Sequence, residues 1–388
     1  MTTIGPSGTT LGVVGGGQLG RMLAEAAAPL GIDLVVVDPT PKCPASAVAR
    51  DHVVADFDDP DGVDELAARA DYLTYEIELA DPDVLERASE DHGVPVHPSP
   101  ETLRTIQDKL VQKRHLAERG VPVPEFVAVD DADDVAAAIH ELESPVMLKA
   151  RRGGYDGRGN RPVHEDEDFA AALAEVGAGE GGAMAERMVD FERELSVIGA
   201  VGDGEWATFP AGENVHEDEI LRTTVVPART SDAVRERAQA VARDVLDALE
   251  GRGVYGIELF ETADGEILVN EIAPRPHNSG HWTIEGATTS QFEQHTRAVA
   301  GLPLGSTHRR CPTVMVNVLG DVAEPTRAEL TGVGDVLATP GAHLHWYGKR
   351  EVRPLRKMGH VTLTPTDGED AAALLEPGRR LRDGLTFE

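Results

Sequence analysis

Two short apolar runs open the chain, Thr10-Leu-Gly-Val-Val14 and Ile32-Asp-Leu-Val-Val-Val37. Between them Leu19, Met22, Leu23 and Ala26 recur on the period of one helix face. This order predicts a βα unit on a parallel sheet, with a helix from Gln18 to Leu30 and a second strand ending at Asp38. The next predicted strand, Tyr72 to Glu78, carries Glu76 and Glu78 two positions apart and therefore on one side. Its C-terminal end is where open α/β sheets place ligand groups, although a solvated strand end has the same pattern. Prolines from Pro95 to Pro100 mark a linker, and Glu101 to Arg119 predicts one helix carrying Lys109, Lys113 and Arg114.

The periodicity then alternates. Phe126–Val129 and Val146–Lys149 predict strands around a helix from Asp133 to Leu142, and Ala183–Val189 predicts a strand leading into Phe191–Ile198. Tyr255–Phe260 and Ile267–Asn270 flank the turn Ala263-Asp-Gly265 and predict a hairpin. Thr313–Leu319, His343–Tyr347 and His360–Thr364 predict a β-rich end to the chain. There is no internal repeat or low-complexity tract.

Length and charge narrow the class. At 388 residues, two or three domains are expected. The 68 acidic against 36 basic side chains leave a net charge of −32, which disfavours nucleic-acid and anionic-membrane partners. The excess is spread along the chain rather than gathered in a tail, which points to a high-salt cytoplasm where self-repulsion is screened. Cys43 and Cys311 make neither a disulfide framework nor a zinc site, and fit a reduced cytosol. The start, Met1-Thr-Thr-Ile-Gly-Pro, has no basic-then-apolar leader, and no 18 apolar residues run together, so a soluble cytoplasmic protein is expected.

Within that frame a few segments carry chemistry. Lys149-Ala-Arg-Arg-Gly-Gly-Tyr-Asp-Gly-Arg-Gly-Asn160 sets four cations around four glycines, so bare amides close over phosphate oxygens while Lys and Arg neutralise them. Glu258 lies in an apolar strand and Glu271 ends the strand Glu266–Asn270, and a hard cation shared between them explains two such carboxylates, with Mg-nucleotide the natural ligand. Gly15, Gly17 and Gly20 match G-x-G-x-x-G after a strand, with Asp38 near the position of a ribose-binding acid. Any tight strand-to-helix turn requires such glycines, whether the helix receives a dinucleotide, another anion or nothing. Lys349-Arg-Glu-Val-Arg-Pro-Leu-Arg-Lys357 packs five cations into nine residues of an acidic protein and suggests a site for an anionic substrate.

An ordered set of motifs carries a resemblance. Gly15-Gly-Gly-Gln-Leu-Gly-Arg-Met22, Thr74-Tyr-Glu-Ile-Glu78, Gln107-Asp-Lys109, the loop Gly153 to Gly159, Asn270-Glu271, Pro274-Arg-Pro-His-Asn-Ser-Gly-His-Trp282, Tyr347-Gly-Lys349 and Arg356-Lys-Met-Gly-His360 resemble the N5-carboxyaminoimidazole ribonucleotide synthetase family of the ATP-grasp superfamily. The resemblance runs from about residue 10 to about 365. It implies an α/β protein with an ATP-grasp fold, an N-terminal Rossmann-like parallel-sheet domain (1–100), an ATP-grasp domain (101–303, its nucleotide lid about 113–185 and catalytic part about 186–303), and a small β-rich C-terminal domain (304–388).

The activity so implied is ATP- and bicarbonate-dependent carboxylation of 5-aminoimidazole ribonucleotide through carboxyphosphate, in purine biosynthesis. Carried across residue by residue, Lys109, Lys149, the loop Gly154, Tyr155, Asp156, Gly157, Arg158, Gly159 and Asn160, then Glu186, Arg187, Met188, Val189, Glu194, His216, Asn270 and Glu271 surround ATP. Glu186 falls near the adenine and Glu194 at the ribose, while Glu258 and Glu271 hold Mg2+, or Mn2+ in its place. Gln18, Leu19, Glu76, Asn278, Lys349, Arg356 and Lys357 contact the ribonucleotide substrate; Tyr155, Asp156, Arg158 and Arg275 are the catalytic candidates. His216 as a plain polar loop residue, and His277 and His281 as turn caps rather than bicarbonate contacts, stay open. Leu355 departs from the family, which usually has glycine before Arg356. A homodimer and a separate mutase acting on the product are implied as partners. The rivals are a formate-dependent glycinamide ribonucleotide transformylase, a biotin carboxylase, a nucleotide sensor without catalysis and an NAD-dependent oxidoreductase.

Overall fold

The first sheet is apolar on both faces because helices cover both. In the computed structural model, which describes residues 8–143, 145–153, 159–177 and 181–387, its strands run in the order Asp51–Val53, Ile32–Val37, Thr9–Val14, Tyr72–Tyr75, all parallel. Val14, Val35, Leu73 and Tyr75 pack on one side with Val63, Leu66 and Leu85. Leu11, Val13 and Val36 pack on the other with Leu19, Met22 and Leu23, joined by Phe292 and Val299 from far along the chain. The helix Gln18–Ala27 passes into a 3-10 turn, Ala28–Leu30, which Gly31 ends at φ 68°.

Two expectations are corrected here. The last strand stops at Tyr75, so Glu76 and Glu78 lie beyond the sheet and no strand alternation fixes their direction. The helix expected from Glu101 to Arg119 is two helices, Pro100–Gln107 and Lys109–Glu118, divided at Asp108 (φ −110°, ψ 107°). Asp108 caps the second helix by accepting the amides of Leu110 and Val111. A carboxylate satisfying those otherwise orphaned amides is a strong local reason to restart the helix there.

Residues 126–187 build a small layer. The strands Phe126–Val129, Ala183–Arg187, Val146–Ala150 and Asn160–Val163 form an antiparallel sheet in that order. The helices Ala132–Leu142 and Phe169–Val176 cover it through Val135, Ile139 and Ala172 on Leu148 and Ala185.

The largest sheet is antiparallel. Its main path runs Ile267–Ala273, Gly253–Thr262, Phe191–Val201, Gly212–Glu217, Ile220–Val226, Thr313–Leu319, Lys357–Leu363, Ala342–Trp346. Thr223–Val226 pairs with Thr313–Val316, so the strands of the β-rich C-terminal part extend the same sheet. Leu195, Val197, Ile257 and Leu259 bury one face against the helix Asp232–Ala248 through Val241, Val245 and Leu246. Strand alternation then turns Glu194, Ser196 and Glu258 to the opposite face. A C-terminal helix that the pattern did not reveal, Ala371–Asp383, seats Leu374 and Leu375 on Val314, Val316 and Leu363. Among the described residues no helix is long and apolar enough to cross a membrane.

Candidate active site

Three lysines meet at one cavity, lined by Lys109, Gln112, Lys113, Lys149, Asn160, Met184, Asn270 and Glu271. The break at Asp108 starts the helix that carries Lys109 and Lys113, and a strand end supplies Lys149. Lys109 Nζ donates to Glu271 Oε1 at 2.6 Å. Lys149 Nζ donates to Glu186 Oε1 at 2.6 Å and to Asn270 Oδ1 at 3.2 Å. Asp108 also binds Arg151 through two oxygens, at 2.6 and 3.1 Å, and so ties the entry of the glycine-rich loop to the helix start.

Glu258 and Glu271 are directly opposed across the hairpin, which puts both carboxylates on one face. Burial works against ionisation of Glu271, whose side chain still reaches solvent, but Lys109 holds it below the usual carboxylate range. Glu258 is shifted the other way. Burial, with Glu271 and Glu194 nearby, pushes it up to about 7, and the nearest imidazole, His277 Nε2, is 3.7 Å away. An all-oxygen set of two carboxylates and the Asn270 amide suits a hard divalent ion that takes its remaining ligands from phosphate and water. Among the described residues no three His, Cys, Asp or Glu are placed to hold a metal by themselves, so the protein half of such a site is this pair.

On the same face Glu194 Oε2 lies 2.5 Å from His216 Nδ1. Burial opposes charging of His216, yet Glu194 raises it above its ordinary value. His216 is therefore held by a carboxylate rather than left as a loop residue. The Arg187 side chain is engaged by Glu125 at 2.5 Å and Glu143 at 3.8 Å, and Met188 is partly exposed. Gly154, Tyr155, Asp156, Gly157 and Arg158 lie outside the described residues, so three of the four catalytic candidates have no geometry here.

The glycine turn after the first strand closes on carboxylates. Gly17 N–H donates to Glu76 Oε1, and an added Cβ at Gly15 would meet Glu76 Cγ at 2.5 Å, so Glu76 itself requires that glycine. Burial pushes Glu76 up to about 7 against the help of the Gly17 amide and Arg275. Asp38, only 6% exposed, accepts the amides of Gly16 at 2.9 Å and Thr40 at 2.8 Å. An acid occupied by its own loop is not presented to a nicotinamide ribose, and the dinucleotide reading fails on that bond. Arg275 pairs with Glu78 at 2.8 Å, and its charge also reaches Glu76 and Glu271.

Facing this turn, Lys349 Nζ donates to Gln18 Oε1 at 2.5 Å and to the Lys357 carbonyl at 2.6 Å. Asn278 and Asn317 exchange hydrogen bonds at 2.6 and 3.1 Å. Arg356 donates to the Glu351 carbonyl at 2.7 Å. The Leu19 side chain is buried in the first sheet's core, which leaves its backbone for a ligand. Leu355 adopts φ 61°, the left-handed conformation that glycine favours, so the loop keeps the glycine geometry without the glycine. His281 is fully buried, with Nδ1 against Gln291 Nε2 at 3.1 Å, and His277 Nδ1 meets Ser279 Oγ at 2.9 Å. Sequence reasoning singled out neither Asp108 nor the pairing of Lys113 with Glu186; the Asp-Lys dipeptide before a helical run was the available capping signal.

Three family models match in order along the chain. One described as ribonucleotide synthetase preATP-grasp domain matches residues 8–107, one described as ATP-grasp domain matches 114–292, and one described as phosphoribosylaminoimidazole carboxylase C-terminal domain matches 313–374. The N5-carboxyaminoimidazole ribonucleotide synthase of Brucella melitensis is 44% identical over 356 residues, covering 92% of this chain and 96% of its own. The crystal structure of N5-carboxyaminoimidazole ribonucleotide synthetase from Thermotoga maritima superposes with a TM-score of 0.86 at 42% identity, over 97% of this chain and 99% of that one. The Aspergillus clavatus synthase in complex with ADP and 5-aminoimidazole ribonucleotide superposes with a TM-score of 0.88 at 36% identity, over 97% and 99%.

Proposed function

Because the chain belongs to the N5-carboxyaminoimidazole ribonucleotide synthase family of ATP-grasp ligases, we propose that it carboxylates the amine of 5-aminoimidazole ribonucleotide, using bicarbonate and ATP, in purine biosynthesis. The observation that supports this most is the reach of Arg275, which pairs with Glu78, faces Glu76 and influences Glu271. Its charge couples Glu76 at the glycine turn to Glu271 at the lysine cavity, which supports a transfer carried out between the two.

Bicarbonate is a poor electrophile until phosphorylated. An oxygen of bicarbonate attacks the γ-phosphorus of ATP, the bond to ADP breaks, and carboxyphosphate forms. The substrate amine then attacks the carboxyphosphate carbon. The N–C bond forms, the C–O bond to phosphate breaks, and the amine proton leaves. Carboxyphosphate decomposes in water, so amine and bicarbonate must be held together with solvent excluded. Lys109 and Lys149 exchange Glu271 and Glu186 for phosphate oxygens, and Glu194 with His216 holds the nucleotide ribose. Glu258, Glu271 and Asn270 would hold Mg2+, or Mn2+, which supplies neutralisation of the phosphate charge.

Gln18, Glu76 and Asn278 hold the substrate's aminoimidazole and ribose in this reading, and Lys349, Arg356 and Lys357 its phosphate. Arg275 is the catalytic candidate with geometry, beside Tyr155, Asp156 and Arg158. The same reading implies a cytoplasmic homodimer and a separate mutase that moves the carboxylate from nitrogen to carbon. ADP release tests the substrate: 5-aminoimidazole ribonucleotide with bicarbonate should stimulate it. Stimulation by glycinamide ribonucleotide with formate, or by biotin, would replace the proposal with the corresponding rival.

A further inference from the structure

Lys113 is fully buried, and the family resemblance assigns it no role. Its Nζ lies 2.8 Å from Glu186 Oε2, while its aligned N–H bond goes to the Val269 carbonyl at 2.8 Å. The other oxygen of Glu186 accepts from Lys149 at 2.6 Å. One carboxylate, 2% exposed, thus serves two lysines, and both line the cavity read as the nucleotide phosphate site. Lys149 also reaches Asn270 in the neighbouring hairpin, whereas Lys113 is anchored to backbone.

A buried carboxylate that loses its last cation is strongly destabilised. If Lys149 were the sole partner of Glu186, its turn toward a phosphate would strand that charge, and ATP binding would carry the penalty. We propose that Lys113 is a positioning residue that keeps Glu186 paired, so that Lys149 leaves Glu186 for the phosphates of ATP. Lys113, anchored to the Val269 carbonyl, acts through the carboxylate. Burial pushes its own ammonium down to about 8 against the attraction of Glu186, which keeps it largely charged near neutral pH.

The inference rests on Lys149 meeting phosphate, and ATP titration of the wild-type protein by calorimetry tests that premise separately: no ATP binding would remove the premise. With binding in hand, Lys113→Met should weaken ATP roughly 30-fold or more, the scale for removing one member of a buried hydrogen-bonded charge pair. Glu186→Gln and the double variant Lys113→Met/Glu186→Gln should bind ATP alike, within about threefold, because Lys113 has no effect once the charge it balances is gone. A double variant as weak as Lys113→Met would overturn the inference, since a merely structural lysine is not rescued by a second substitution. Wild-type affinity in Lys113→Met would overturn it too. Should Lys113→Met not fold, the comparison of Glu186→Gln with the double variant decides: equal affinity supports the inference and a tenfold loss contradicts it.

Discussion

Glu76 and Glu78 beside the glycine turn, and Glu258 and Glu271 on the hairpin, are two carboxylate pairs built to the same plan. In each pair one member is held by a cation, Glu78 by Arg275 and Glu271 by Lys109. In the other member of each pair burial outweighs the cations nearby and pushes the carboxyl up to about 7, Glu76 against the Gly17 amide and Arg275, Glu258 against His216 and Lys357. The neighbours separate their tasks. Glu258 has a second carboxylate opposite it and the lysine cavity beyond, so a divalent ion would relieve it. Glu76 has backbone N–H groups around it, so a ligand offering hydroxyl or amine donors relieves it.

The comparison breaks most visibly at the hairpin. Glu271→Gln keeps the shape, removes one carboxylate of the proposed metal pair and leaves Lys109 without its partner, so ADP formation should fall by about 10³-fold while circular dichroism stays native. A folded variant with near-normal turnover would remove Glu271 from the metal site. Glu76→Gln should act on the other substrate, raising KM for 5-aminoimidazole ribonucleotide about tenfold with little change in KM for ATP or in magnesium dependence. The reverse pattern would dissolve the distinction between the pairs.

The same variant carries a pH signature. Because the folded carboxyl of Glu76 titrates near 7 and an unfolded one near 4.5, its contribution to stability is complete below pH 4.5 and is lost as pH rises through 7. Wild type should therefore lose roughly 3 kcal/mol relative to Glu76→Gln across that window, measured by denaturant unfolding. Parallel curves would show that Glu76 is not raised.

Arg356, which donates to the Glu351 carbonyl, lies outside both pairs and is proposed to meet the substrate's phosphate. Arg356→Ala should raise KM for the ribonucleotide about tenfold and leave KM for ATP unchanged, as loss of one charge-assisted phosphate contact does. Equal losses for both nucleotides would deny it that phosphate. The smallest expected effect is at Leu355, whose left-handed backbone costs about 1–2 kcal/mol, partly offset by the greater unfolded freedom of glycine. Leu355→Gly should raise stability by about 0.5–1 kcal/mol with unchanged kinetics, and a loss of stability would contradict the strain.

How far these pairs were legible differs between them for a physical reason. Glu258 and Glu271 sit in a hairpin that the turn residues and apolar alternation made legible as two carboxylates sharing a cation, but a bulge between Glu258 and Leu259, which the sequence did not reveal, sets them directly opposite each other. Glu76 and Glu78 follow a parallel strand end, where no local rule governs direction; the strand stopped at Tyr75 and the two carboxylates took partners 59 and 197 residues away. The glycine fingerprint was visible but not its meaning, because the bonds of Asp38 to Gly16 and Thr40 belong to the folded loop. Lys113 was visible as a charge on a helix, while its burial against Glu186 depends on a contact across 73 residues that periodicity does not encode. The Asp108 break was open to a capping argument, and the long apolar-polar run concealed it.

The central claim is that bicarbonate is phosphorylated before the amine meets it. Uniformly 18O-labelled bicarbonate tests this directly, with mass spectrometry of the phosphate released alongside ADP in the presence of 5-aminoimidazole ribonucleotide. Transfer through carboxyphosphate predicts one 18O atom in each phosphate. Unlabelled phosphate, formed with stoichiometric carboxylated product, would contradict it.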